Sequence, residues 1–180
     1  MNLSSISQVY KNGKLVCENG KALFECETVD NSKVTNTVHL PKISADFFKT
    51  DVKDKFDAIE LIPESIITKK VTVSYSDSLS KVCVIERHHN LGTKGIGFVT
   101  NYGITNGAIA TSIGHDSHNV IVIGDNDSDM ALAVNTLGTS GGIAVCSEGK
   151  VIASMTLDIA GLMSVKSADE VTREHDNLYS

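Results

Sequence analysis

The chain has 180 residues, of which 41% are hydrophobic, and its formal net charge is −6. This length and composition allow one good hydrophobic core with a small additional lobe, and they exclude a disordered chain. The 16 basic and 22 acidic residues form no run of like charge, which argues against nucleic acid or an anionic membrane as the partner.

The cysteines and the N-terminal residues bear on the cellular compartment. No C-x-x-C pair occurs, so the sequence favours reduced thiols over a zinc knuckle or a disulfide framework at Cys17, Cys26, Cys83 and Cys146. The N-terminus has no basic segment followed by an apolar one, and no segment approaches the roughly 18 apolar residues that span a bilayer. We therefore expect a soluble, cytoplasmic protein.

The first structural signal is a pair of Asn-Gly turns. Asn12-Gly13 and Asn19-Gly20 separate three short apolar segments between Gln8 and Phe24. Because Asn-Gly supplies the positive φ angles of tight hairpin turns, the pattern predicts a three-stranded meander. Three short strands bury little surface and leave two open edges, so we expect them to complete a sheet whose other strands lie elsewhere.

A polar, mixed segment at 30–69 then predicts a linker with irregular structure, and a β-rich lobe follows from residue 70. Its predicted strands are β-branched or apolar runs bounded by turn residues, at 71–75, 81–85, 98–100, 107–111 and 120–123. The last of these is apolar throughout, as expected of a strand covered on both faces.

Two helices and a further hairpin complete the predicted lobe. A helix over 127–137 is indicated by a capping residue at Asn126 or Asp127, by apolar residues at i, i+4 and i+7, and by Gly138 at its end. Residues 143–146 and 151–155 predict a hairpin, and the capping-box spacing of Ser167 and Glu170 predicts a short C-terminal helix. The fold class is therefore α+β: a β-meander followed by a β-rich lobe with one or two packed helices.

The densest polar cluster is His115-Asp116-Ser117-His118-Asn119, between two predicted strands. In the functional interpretation, His115 and His118 act in acid–base catalysis or bind a metal, and Asp116 orients an imidazole. In the structural interpretation, the same groups form a hydrogen-bonded turn. Spacing alone favours the structural interpretation, because a single H-x-x-H is not a complete metal site.

A second polar cluster, Glu86-Arg87-His88-His89, follows the predicted strand at 81–85. Glu86 and Arg87 could simply pair on a surface. If the strand continues, adjacent side chains point to opposite faces, so at most one of the two histidines points toward a site.

The order and spacing of these segments resemble the C-terminal domain of adenine deaminases, over about residues 9–163. The resemblance starts with the meander at 9–16 and Glu86-Arg87-His88-His89. It continues through Gly95-Ile96-Gly97-Phe98-Val99, Gly107-Ala108-Ile109-Ala110, His115-Asp116-Ser117-His118-Asn119, Asp129-Met130-Ala131-Leu132-Ala133-Val134-Asn135, Gly141-Gly142 and the segment 157–164. Thr139-Ser140 and Asp158 depart from the family pattern and put local packing in doubt.

The resemblance implies a domain organisation and an activity. Residues 1–29 would be the end of a β-sandwich completed by another segment, 30–69 a linker, and 70–180 the adenine deaminase C-terminal domain. The family hydrolyses adenine to hypoxanthine and ammonia in a metal-binding (β/α)₈ barrel of the amidohydrolase type, which uses an H-x-H pair. A barrel takes about 250 residues, and this sequence contains no H-x-H pair.

From this resemblance we expect adenine as the substrate, an amidohydrolase barrel supplied elsewhere as the partner, and a possible homo-oligomer. The divalent metal, manganese or iron, would belong to the parent enzyme, with none bound by this chain alone. His115, Asp116 and His118 are the candidate catalytic residues. Glu86, Arg87, His88 and His89 are the candidate substrate-binding residues.

Two other functions stay open. The lobe could be a non-catalytic module that caps the barrel mouth or forms an oligomer interface. It could also be an independent metal-dependent hydrolase that uses His88, His115 and His118, although the sequence gives no clear carboxylate base for that chemistry.

Overall fold

A computed structural model of the protein describes residues 6–25, 27, 29–51, 54–75 and 79–179. The chain divides into two compact units, Met1–Asn31 and Ser32–Ser180. Strands predominate over helices within the described ranges, which confirms the predicted α+β class. Cys26 and the first five residues, to which two of the sequence predictions refer, lie outside the described residues.

The first unit contains the predicted meander. Strands β1 (Gln8–Lys11), β2 (Lys14–Glu18) and β3 (Lys21–Ala22) pair antiparallel in the order β1-β2-β3. Both Asn-Gly pairs have positive φ angles, at 52° and 77° for the first and 49° and 78° for the second. The turns thus have the backbone conformation for which this dipeptide is suited.

The second unit is built on an eight-stranded sheet with the order β11-β10-β8-β9-β6-β7-β4-β5. All neighbours pair antiparallel except β4 and β7, which are parallel. The strands are β4 (Phe56–Leu61), β5 (Thr68–Val73), β6 (Ser80–Ile85), β7 (Lys94–Thr100), β8 (Gly107–Thr111), β9 (Val120–Gly124), β10 (Gly142–Ser147) and β11 (Lys150–Thr156).

The core lies between one face of this sheet and helix α1 (Asp127–Thr136). Four fully buried residues face the helix side by side on neighbouring strands: Cys83, Val122, Ala110 and Ala144. The alanines on β8 and β10 have small side chains, so the helix can approach the sheet closely. A side chain at Gly124 would meet Met130 of α1 at 2.8 Å, so glycine is required for the same reason.

Helix α1 begins where the sequence predicts and ends one residue before the predicted end. The Asn126 side chain accepts a hydrogen bond from the Asp129 N–H at 2.8 Å, and Gly138 follows the helix with φ 56°. These are the usual N-cap and left-handed C-terminal conformations. Strand β9 and α1 also pack together in one core, as expected from their apolar patterns.

The expected linker over 30–69 is wrong for much of its length. Val38, Ile43 and Phe48 are buried, and a 3₁₀ turn at Ala45–Phe48 packs against α1. Strand β4 then joins the sheet. The mixed composition did not reveal this strand, because β4 is stabilised by pairing with both β5 and β7, and β7 lies roughly forty residues away in the chain.

The second helix, α2 (Ala168–Leu178), packs against the edge strand β11. Its predicted capping box is present, since Ser167 and Glu170 each accept a hydrogen bond from the other's backbone N–H. Among the described residues, neither helix is long and apolar enough to cross a membrane.

Candidate functional site

The two polar clusters singled out in the sequence meet at one end of the central strands. Strands β6 and β9 are antiparallel neighbours, with Ile85 opposite Val120. The residues that follow β6 and those that precede β9 must therefore leave the sheet side by side. This topology brings 86–89 against the loop 115–119.

Arg87 connects the two clusters. Its side chain is buried, and its Nε donates a hydrogen bond to the carbonyl oxygen of His118, while Nη2 donates to that of Ala160 at 3.0 Å. Burial lowers the pKa of the guanidinium from its ordinary value. Within the described part of the chain, no carboxylate forms an ion pair with it. Arg87 therefore holds two main-chain segments in place with a charged group.

The loop at 115–119 is held in an uncommon backbone conformation. Asp116 and His118 have φ angles of 65° and 50°, in the left-handed region that non-glycine residues seldom adopt. The His118 N–H donates to the carbonyl oxygen of Gly114 at 2.9 Å. His88 Nε2 lies 2.9 Å from the Ser117 carbonyl oxygen, and because that oxygen can only accept, Nε2 carries the hydrogen. Strain of this kind persists where the surroundings fix it, often at functional sites.

The three candidate catalytic side chains do not point in one direction. His115 and Asp116 are turned to solvent, with side-chain exposures of 95% and 89%, and pair with each other at 3.0 Å. His118 is half-buried and lines a cavity with Arg87 and His88. The structure thus brings His118 together with two of the candidate substrate-binding residues and leaves His115 and Asp116 outside that cavity.

Glu86 and His89 have a different environment. The Glu86 carboxylate accepts hydrogen bonds from the backbone N–H groups of Leu91, His89 and His88, and these bonds lower its pKa. The His89 ring is exposed, with Nδ1 3.5 Å from Glu86. Glu86 therefore orders the turn after β6, which favours the structural interpretation for this residue.

The cavity at this junction has a volume of about 270 Å³. Besides Arg87, His88 and His118, it is lined by Lys33, Val34, Thr37, Ala160 and Leu162. Lys33 and Thr37 were missed by the sequence analysis because they lie in the segment interpreted as a linker. The Thr37 hydroxyl and the Asn119 side-chain oxygen are buried without a hydrogen-bond partner in the described structure.

The segment 157–163 is fixed beside this cavity by a buried serine. Ser112 Oγ donates to the Gly161 carbonyl oxygen at 2.6 Å and accepts from the Gly142 N–H at 2.8 Å. Gly161 has φ 69°, and a side chain there would approach Arg87 Nη1 to 3.0 Å. The glycine is thus needed both for its conformation and for the space beside the guanidinium.

The described residues offer neither a metal-binding group nor a reactive thiol at Cys83. Within the described ranges, no three His, Cys, Asp or Glu side chains are grouped so that they could hold a metal ion. The described residues therefore provide no group that fits the divalent metal expected in the parent enzyme. Burial raises the pKa of the Cys83 thiol to about 11, so it is protonated near neutral pH and unsuited to nucleophilic attack.

Comparison with known proteins identifies the family. The adenine deaminase C-terminal domain family matches residues 60–180. This chain belongs to that family. It is 39% identical to adenine deaminase 2 of Carboxydothermus hydrogenoformans, covering 95% of this chain and 32% of the relative. It is 40% identical to an adenine deaminase of Clostridium acetobutylicum, covering 92% and 32%.

An adenine deaminase of Dehalococcoides mccartyi is 36% identical over 96% of this chain and 33% of its own length. The chain thus spans about a third of the length of the relatives it matches. The match to their C-terminal domain family agrees with the resemblance found in the sequence.

Proposed function

We propose that this domain works as the C-terminal part of an adenine deaminase, beside a metal-binding amidohydrolase barrel, in the conversion of adenine and water to hypoxanthine and ammonia. The family membership and the names of the relatives support this proposal. In it, the manganese or iron belongs to the barrel, and the residues of this chain shape and polarise the edge of the site.

The observation that carries the proposal is the meeting of Arg87, His88 and His118 at one cavity. Arg87 fixes the main chain on both sides, so the two imidazole rings are presented from a rigid base. An imidazole can both donate and accept hydrogen bonds, which matches the ring nitrogens and the amino group of adenine. We assign His118 a role in contacting or protonating the purine. His115 and Asp116, being exposed, would take part only if the barrel covers them.

The second candidate function, a capping or assembly module, is favoured by the sheet face opposite α1. On that face Val82, Ile109 and Ile121 are only half-buried, and Val84 is 37% exposed. Apolar side chains in this arrangement are typical of a surface that packs against another body. In that case the domain would stabilise the enzyme without contacting the purine.

A chimera distinguishes the two functions. The C-terminal third of the Clostridium acetobutylicum adenine deaminase would be replaced by this chain, and hypoxanthine formation would be followed. We expect the chimera to be active. His118→Ala should lower its kcat roughly 100-fold, which is typical for loss of an acid–base group, and should leave its melting temperature unchanged. His175→Ala, which alters an exposed histidine on α2, is the matched control.

If His118→Ala leaves turnover per folded molecule intact, the capping function is correct instead. A folded chimera without activity would contradict the deaminase assignment itself.

A further inference from the structure

The charge of Arg87 has no counter-charge among the described residues. The exposed fraction of the residue is only 3%. Its hydrogen bonds go to two neutral carbonyl oxygens, and no described carboxylate pairs with it. A buried cation is ordinarily paired with an anion, because burial removes the water that would otherwise stabilise the charge. The site therefore lacks the partner that such a cation ordinarily has.

The geometry leaves part of the guanidinium available. Nε and Nη2 are used by His118 and Ala160, whereas Nη1 has no hydrogen bond to a described residue. Nη1 lies beside Gly161, which has no side chain to cover it. An anion that reached Nη1 would form a charge-assisted hydrogen bond, which is shorter and stronger than a bond between neutral groups.

The rest of the cavity suits an anion as well. Lys33 lies at its border and adds a second positive charge, and Thr37 contributes a hydroxyl that lacks a partner. The volume of about 270 Å³ accommodates a carboxylate or phosphate group with bound water. Glu86 is the acidic residue next to Arg87 in the chain, but its carboxylate accepts hydrogen bonds from backbone N–H groups and does not pair with Arg87.

Adenine does not satisfy these features, because it is uncharged near neutral pH. We propose that the cavity lined by Lys33, Thr37, Arg87, His88 and His118 binds a small oxyanion, a carboxylate or a phosphate. This proposal shares His88 and His118 with the proposed function but rests on Arg87, and anion binding needs no barrel, so the two proposals can fail independently.

The test is an NMR titration of the full chain, labelled with ¹⁵N, with sodium phosphate or sodium acetate against sodium chloride at equal ionic strength. We expect saturable shifts confined to the amides around 33–37, 87–88, 118 and 160–162. Lys33→Gln should weaken binding roughly two- to fivefold, as expected for one exposed charge. Lys69→Gln makes the same charge change on β5 and should have no effect.

Arg87→Lys keeps the charge but loses the planar group, and should abolish saturable binding if the variant folds. Thr37→Val keeps the shape of the side chain and removes only the hydroxyl. It should weaken saturable anion binding, and it serves as the test if Arg87→Lys does not fold. Saturation by phosphate alone, by acetate alone or by both supports the proposal and identifies the preferred anion. Shifts that do not saturate, or that respond equally to Lys33→Gln and Lys69→Gln, would overturn it.

Discussion

Glu86 illustrates how a single carboxylate organises the chain at the edge of the site. It accepts three backbone hydrogen bonds from 88–91, and these keep its pKa below the ordinary value of 4.5. A lowered pKa in the folded state means that the carboxylate contributes stability at pH values above the unfolded pKa. That contribution is lost as the pH falls through the lower, folded value.

We therefore predict that Glu86→Gln lowers the melting temperature at pH 7, because the amide offers one oxygen and no charge to the three N–H groups. The difference from the parent chain should shrink below pH 4.5 as Glu86 itself becomes protonated. Thermal melts between pH 3 and 7 would measure it. Glu64→Gln, at an exposed position, is the control, and a difference that does not change with pH would contradict the assignment.

The sequence located part of the candidate site. Arg87 and His118 stood out because they lie directly beside strong strand patterns, and the strand pairing then forces them together. Lys33 and Thr37 could not be found in the same way. Their segment reaches the cavity through single contacts such as the Ala160 N–H to the Val34 carbonyl oxygen, at 2.6 Å, which no local pattern encodes. Nor could spacing reveal that the Glu86 carboxylate faces the main chain.

At the scale of elements, α1 and β9 carry the core of the second unit. Val134 belongs to this core and is essentially inaccessible to solvent. Val134→Asp would bury an unpaired carboxylate at a cost of several kcal/mol, comparable to the whole stability of a small domain at about 5–15 kcal/mol. We predict that the variant is unfolded at 25 °C.

Circular dichroism and thermal melting would measure this effect. Ser128→Asp places the same charge on an exposed position in the first turn of α1, where it interacts favourably with the helix dipole, and should melt like the parent chain. A cooperative, unshifted transition in Val134→Asp would contradict the packing described for α1.

Elements with strong local patterns were predicted well, and elements that depend on distant partners were not. Strand β8 has the predicted bounds, and α1 ends within one residue of the predicted end. Strand β7 is longer than predicted, since Gly95 and Gly97 lie within it. Its antiparallel pairing with β6 over six residues outweighs the unfavourable entropy of the glycines.

At the scale of the whole molecule, the family could be identified from sequence because its motifs extend over many elements in a fixed order. Each motif alone, such as H-x-x-H or Gly-Gly, is common. Several motif residues also meet structural requirements of this chain: a side chain would collide with the main chain of Met155 at Gly142 and would crowd Arg87 at Gly161. In the proposed function, by contrast, the chemistry depends on a metal-binding barrel outside this domain.

We predict that the purified chain alone does not deaminate adenine. Hydrolysis of the amino group requires an activated water, and activation by a metal needs several ligands held by a second layer of hydrogen bonds. The sequence has no H-x-H pair, and the described residues offer no such ligand group.

Hypoxanthine formation would be followed with added manganese, iron or zinc, with and without a separately expressed amidohydrolase barrel, and with His118→Ala as a contamination control. Activity only in the mixture would agree with the prediction. Turnover by the chain alone that is abolished in His118→Ala would contradict it and make His88, His115 and His118 the first candidates for a metal site.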